Sequence, residues 1–219
     1  RTGFHPRAVY IPNREERSLR DLLNARAMIV RSRVRIVQTA RSFLLRAGIR
    51  LPRKTYHSLK GWRSMLLLNL PEVQRDVIRE MSEMWMQAWE SEGRLDKQLE
   101  TIAQDDIRAQ RLRTMPGVGT IASLWLLVAI GDHKRFRRSR EIGRYFGLTP
   151  AAKDSAGVRR RGHITREGKP ELRAVWVQAA LAYLASKGSR GRSLRNWYEA
   201  VGRRRGKKIA LIALARKMM

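Results

Sequence analysis

The chain has 219 residues, with 47 Lys and Arg against 19 Asp and Glu and a formal net charge of +28. So large a self-repulsive charge has little use in a metabolic enzyme and is relieved by displacing counterions from a phosphate backbone, so a nucleic acid is the expected partner and a ribosome-like structural protein the bland alternative. A hydrophobic content of 43% excludes a disordered basic tail, the lack of cysteine excludes disulfides and Cys-ligated zinc, and no apolar run approaches the roughly 20 residues of a membrane span, so a cytoplasmic, nucleoid-associated protein without membrane attachment is expected.

The chain opens on Arg rather than Met, with no apolar leader in residues 1–13, and reads as a piece of a longer chain. Asn13, with Glu16 three residues on, predicts a helix start, and Leu19, Leu22, Leu23, Ala27, Val30, Val34, Val37, Phe43 and Leu44 recur at helical spacing up to a stop at Gly48. Arg31, Arg33, Arg35 and Arg41 follow no single face of it, which leaves both a solvated and a phosphate-binding reading open. A shorter helix around Leu59, Trp62, Met65 and Leu66 follows. Pro71 then opens one long helical segment running to Arg113, and its length and acidic positions predict a coiled-coil arm that packs on the first helix or on another subunit. Met81, Met84, Trp85, Met86 and Trp89 read as a core or a dimer seam.

Composition changes at Thr114, and the predicted domain boundary falls there: 1–113 is a residual N-terminal segment and helical arm, 114–219 a compact C-terminal domain. Pro116-Gly117-Val118-Gly119 breaks the helix, and the apolar run 121–130 resumes it. Next come a short helix at 139–146, an irregular stretch over 148–168, a helix from Pro170 to about Ser186, and two shorter basic helices to Met219. The predicted class is mainly α.

Two segments carry chemistry. Pro116 to Gly119 before an apolar helix is the pattern of a helix-hairpin-helix, in which Gly117 and Gly119 let backbone amides approach DNA phosphates; a plain helix-helix turn needs the same glycines, and both readings stand. The other segment, 153–169, holds Ser155 beside Arg159, Arg160 and Arg161 and ends at Lys169: a hydroxyl nucleophile with cations to bind phosphate, or a loop serine making a turn hydrogen bond. The four histidines, His5, His57, His133 and His163, show no metal-ligand spacing and receive no role.

Taken in order, Met115-Pro-Gly-Val-Gly, Ile130-Gly-Asp, Phe136, Tyr145-Phe-Gly-Leu-Thr-Pro150, Asp154-Ser155, Arg161-Gly-His-Ile-Thr-Arg-Glu-Gly168 and Leu172-Arg173 resemble the C-terminal transposase domain of the IS one-ten family of insertion-sequence transposases, which includes Piv-like DNA invertases. The resemblance covers about 114–219. Residues 1–48 resemble the stretch after that family's catalytic N-terminal domain, and 71–113 its coiled-coil insertion. It implies a DNA transposase or site-specific recombinase that breaks and rejoins strands through a serine, whose position Ser155 matches, with DNA held by Gly117, Gly119, Arg159, Arg160, Arg161 and Lys169. It also implies homo-oligomers, a structured guide RNA in some members, and a divalent metal, Mg, on an Asp-Glu-Asp-Asp set in an RNase-H-like domain. Those acids lie upstream of Arg1, and neither Asp105-Asp106 nor Asp132 replaces them, so this chain by itself is expected to be catalytically incomplete. The rival function is a non-catalytic DNA- or RNA-binding module.

Overall fold

The computed structural model describes residues 9–155, 158–186 and 192–219, with the backbone alone described for 152–155 and 158–161. The fold is mainly α, as the apolar periodicity predicts. The described α-helices are α1 (Arg14–Arg46), α2 (Leu59–Met65), α3 (Glu72–Asp105), α4 (Ile107–Arg113), α5 (Thr120–Ile130), α6 (Arg140–Tyr145), α7 (Pro170–Ala185), α8 (Arg192–Arg205) and α9 (Lys207–Lys217), with one antiparallel pair of strands, β1 (Pro150–Ser155) and β2 (Val158–Ile164). Two compact units result. One comprises Asp21–Gln98; the other comprises Arg1–Arg20 and Leu99–Met219, and the composition break at Thr114 lies inside it.

The smaller unit is an antiparallel pairing of the α1 and α3 stretches closed by α2. Antiparallel order follows from its ion pairs: Arg26 meets Asp96 and Glu92, while Arg33, further along α1, meets Glu92 at 2.8 Å. Arg33 is thereby a structural residue of the arm. Between the helices Val37, Ala40, Leu44, Ile78 and Trp85 pack with Tyr56, Trp62, Met65 and Leu70. Trp62 stacks on Trp85 with ring centroids 5.5 Å apart and donates from its indole N–H to the Tyr56 carbonyl at 3.1 Å. The expected Met and Trp seam divides by face, for Trp85 is 0% exposed whereas Met84 is 55% exposed and Trp89 is 44% exposed.

The start of α1 matches expectation: the Asn13 side chain accepts from the Glu16 N–H at 2.8 Å, and the Glu16 carboxylate accepts in return from the Asn13 N–H at 3.1 Å, a reciprocal capping box. The single helix expected over 71–113 is in fact two. Asp106 adopts extended backbone, and its carboxylate accepts from the N–H groups of Arg108 (2.7 Å) and Ala109 (3.4 Å), so the aspartate ends one helix by capping the next.

In the larger unit α5 is buried nearly all round, with Ala122, Leu124, Trp125, Leu126 and Val128 in the core. It packs between α4 and α7, and α7 packs in turn on α9, which also meets α6 and α8. Among the described residues no helix is long and apolar enough to cross a membrane.

Candidate nucleic-acid interface

The irregular stretch expected over 148–168 is a β-hairpin. Cα partners run Ala152 with Arg161, Lys153 with Arg160, Asp154 with Arg159 and Ser155 with Val158, with one register shift between Pro150 and Ala152. A lone two-stranded ribbon is marginal in water, so its base must be held by something else. Gly147 and Gly168 hold it. Both have positive φ, +65° and +73°, and a Cβ on Gly147 would come closer than 3.0 Å to backbone atoms of Glu167 and Arg166, while one on Gly168 would press on the Tyr145 carbonyl. The two loops therefore meet backbone to backbone. Thr165 N–H donates to Thr149 C=O at 2.9 Å and Arg166 N–H to Gly147 C=O at 3.2 Å, which extends the ladder past the strands. Arg173 closes the clasp, its guanidinium donating to the carbonyls of Glu167 (2.6 Å) and Gly168 (2.9 Å).

The Gly147 and Gly168 motifs thus hold the hairpin base, while the Ile130-Gly-Asp132 motif makes contacts of its own. Gly131, at φ +56°, lies against the Tyr10 ring, and Asp132 caps the turn that follows by accepting from the Lys134 N–H at 2.9 Å. The Arg135 guanidinium stands 4.9 Å from the ring centres of Tyr10, Phe136 and Tyr145. The Tyr10 hydroxyl donates to the Glu16 carboxylate at 2.5 to 2.6 Å, and that hydrogen bond raises the phenol pKa. Arg135 and Arg173 carry no signal in hydrophobic periodicity; Arg173 falls within the ordered motifs, and Arg135 stands only beside one of them, next to Phe136.

Of the anticipated site residues, the hairpin brings Ser155 and the Arg159-Arg160-Arg161 triplet into one element, with Asp154 directly opposite Arg159. Five residues beyond β2, Lys169 stands at the N-cap of α7, its ammonium 5.6 Å above the Trp125 ring. Gly117, at φ +86°, packs on α7, where a Cβ would strike the backbone of Ala179 and Tyr183. That close approach accounts for the glycine without any phosphate. Gly119 caps α5 with open space around it. Beside it the Glu100 carboxylate accepts from the Thr120 hydroxyl and, at 2.8 Å, from Arg113; these two hydrogen bonds lower its pKa. A carboxylate thus already sits at the first turn of α5.

Among the described residues no three His, Asp or Glu side chains converge as metal ligands: Asp106 is committed to its cap and to Arg108, and Asp132 to the turn at Lys134. The described acids do not fit a two-metal centre, which needs several carboxylates around ions about 3.5 to 4 Å apart.

Fold and hairpin together define a strongly cationic, mainly helical protein whose larger unit holds a serine and three arginines in one clasped ribbon. Residues 109–195 match the model of the IS116/IS110/IS902 transposase family. The chain is 23% identical over 218 residues to a probable family 20 transposase of Pseudomonas aeruginosa, covering 97% of this chain and 64% of the relative. It is 27% identical over 215 residues to the transposase for insertion sequence element IS1328 of Yersinia enterocolitica, covering 93% and 61% respectively. The pilin gene-inverting protein of Moraxella bovis is 35% identical over 75 residues, 34% of this chain and 23% of that protein. The chain thus spans about three fifths of the length of the first two of these relatives.

Proposed function

We propose that this chain is the DNA-gripping and serine-bearing part of an insertion-sequence transposase or related site-specific recombinase. The observation that carries the reading is the hairpin: Ser155 and Arg159 to Arg161 lie on two paired strands inside the stretch that matches the transposase family model. In the proposed reaction the Ser155 oxygen bonds to a backbone phosphorus and gives up its proton, and the bond from phosphorus to a deoxyribose oxygen breaks, that oxygen leaving as a protonated hydroxyl. Attack on the serine phosphoester by a hydroxyl of another strand rejoins DNA and returns the proton to serine. The arginine triplet and Lys169 bind the flanking phosphates and stabilise charge on phosphorus, and Gly119 offers backbone close to a strand. Names of relatives that transpose elements or invert a gene support strand exchange on DNA as the overall outcome. Exchange needs two duplexes held together, and the side of α3 that exposes Met84 is the surface we assign to self-association. A structured RNA, as in some members of the family, is a further polyanion that the same cationic surfaces suit.

The test uses the complete parent protein and a labelled DNA junction resolved by denaturing electrophoresis. Wild type should give a covalent adduct that Ser155→Ala lacks, with duplex affinity within about twofold, because alanine removes the bonding atom and leaves the cations in place. An adduct persisting in Ser155→Ala refutes the nucleophile. Retained affinity without any adduct in wild type would assign the chain to the non-catalytic binding class.

A further inference from the structure

The hairpin is not the densest concentration of charge in the larger unit. Helices α8 and α9 meet in a tight turn, Arg203-Arg204-Arg205-Gly206-Lys207-Lys208, with five cations in six positions, every one exposed. It lies outside the residues that match the family model, which end at 195.

Three other basic residues of this helical pair have internal explanations. The Lys217 ammonium sits 5.0 Å over the Trp197 ring, the Arg195 guanidinium donates to the carbonyl and hydroxyl of Ser186, and an Arg216 side chain covers Gly143 of α6. In the turn only Arg203 has such a partner, Glu199 at 3.8 Å, with both side chains mostly in solvent. The side chains of Arg204, Arg205, Lys207 and Lys208 make no ion pair or hydrogen bond with another described residue. Gly206, at φ +88°, has nothing within 4 Å of where a Cβ would stand, so the turn is uncovered as well as charged.

Local energetics do not favour this arrangement. Cations in the last turn of α8 suit its dipole, but Lys207 and Lys208 occupy the first turn of α9, where the partial charge is already positive, and they repel the three arginines across the glycine. A solvated face of a helix would spread like charges apart. Sequence that violates local preference without an internal compensation marks a surface built for an external partner, here a polyanion.

We infer that the α8–α9 turn is a second, sequence-independent contact with the backbone of duplex DNA, separate from the hairpin. Duplex DNA carries one negative charge per about 1.7 Å of axis, twice the linear density of a single strand, and is the polyanion that best matches five cations packed into one turn. Bare ammonium and guanidinium groups at a turn grip phosphates and read no bases. The inference rests on the reading that the chain binds DNA, and it places the flank of the bound duplex against α8 and α9 while the hairpin holds the reacting strand.

The experiment compares the full chain with a variant in which Arg203, Arg204, Arg205, Lys207 and Lys208 are all Ser, and with Arg159, Arg160 and Arg161 all Ala, titrating salt against a short random-sequence duplex, the corresponding single strand and an RNA hairpin. Each phosphate that is no longer neutralised should flatten the slope of log affinity against log salt by about 0.9, so the turn variant should be shallower by about two to four on the duplex and bind at least about tenfold more weakly. Arg203→Lys, Arg204→Lys and Arg205→Lys together should keep the slope. A duplex slope unchanged in the turn variant but reduced in the triplet variant overturns this inference and leaves the proposed function standing; slopes unchanged in both overturn both. A turn variant that weakens the RNA hairpin alone assigns the surface to RNA and overturns the duplex reading. Far-ultraviolet circular dichroism should be unaltered; if the fivefold variant does not fold, Lys207→Ser with Lys208→Ser carries the same comparison, with an expected decrease of about one to two in slope.

Discussion

Replacing Gly147 by alanine tests whether the loop clasp holds the hairpin. A residue with a Cβ at φ +65° costs about 1 to 2 kcal/mol from the left-handed conformation alone. The new methyl would also stand closer than 3.0 Å to the backbone nitrogen and oxygen of Glu167, atoms that cannot swing aside as a side chain would. The strands would have to part, loosening the bonds from Thr165 to Thr149 and from Arg166 to Gly147, each worth about 1 kcal/mol net. The expected total is about 3 to 4 kcal/mol. Gly206→Ala is the control within the same unit, since its φ is +88° with open space around it, so only the conformational cost of about 1 to 2 kcal/mol applies. Urea unfolding gives the two values, and amide exchange at Thr165 and Arg166 shows whether the loss is local. Equal destabilisation by the two substitutions would refute the clasp.

Trp85→Ala should destabilise the smaller unit by about 3 to 5 kcal/mol, because a fully buried indole and its stack on Trp62 are removed, and thermal unfolding will show it. Met84→Glu, on the exposed side of the same helix, should leave unfolding within about 0.5 kcal/mol but lower the mass seen by light scattering if that face joins two copies. Glu100 is held below the usual carboxylate pKa by its hydrogen bonds from Thr120 and Arg113, so its contribution is complete above the unfolded-state pKa and disappears as pH falls through the lower folded-state value. Unfolding followed from pH 7 into the acid range should therefore show an acid loss that is smaller in Glu100→Gln, and identical pH profiles would rule that interaction out.

What could be read from sequence depended on whether the governing contact was local. Asn13 and Glu16 cap the same turn they announce, and the apolar period of α1, α3, α5 and α7 is legible because each helix buries one stripe or all of its surface. The break at Asp106 is not, since Ile107, Ala109 and Leu112 continue the apolar spacing, and the aspartate's choice of the Arg108 and Ala109 amides appears only in three dimensions. The hairpin escaped for a similar reason. Ala151, Ala152, Lys153 and Asp154 lack the β-branched and aromatic residues that announce strands, and what imposes pairing is Gly147 meeting Glu167, 20 residues away. The Pro116 to Gly119 segment left two readings open; the packing of Gly117 on α7 supplies the reason for one glycine, while Gly119 keeps its open surroundings. The Met and Trp seam could be located but not apportioned, because helical spacing alone does not say which of Met84 and Trp85 turns inward.

The most direct measurement is the identity of the residue that bonds to DNA. Cleavage after Lys153 and Arg159 releases Asp154-Ser155-Ala156-Gly157-Val158-Arg159, a peptide whose one hydroxyl is Ser155. The adduct formed by the complete parent protein on a DNA junction, digested with nuclease and trypsin and analysed by tandem mass spectrometry, should carry a nucleotide phosphate on that peptide and at that serine. A nucleotide mapped to any other residue, with this peptide unmodified, would contradict the account.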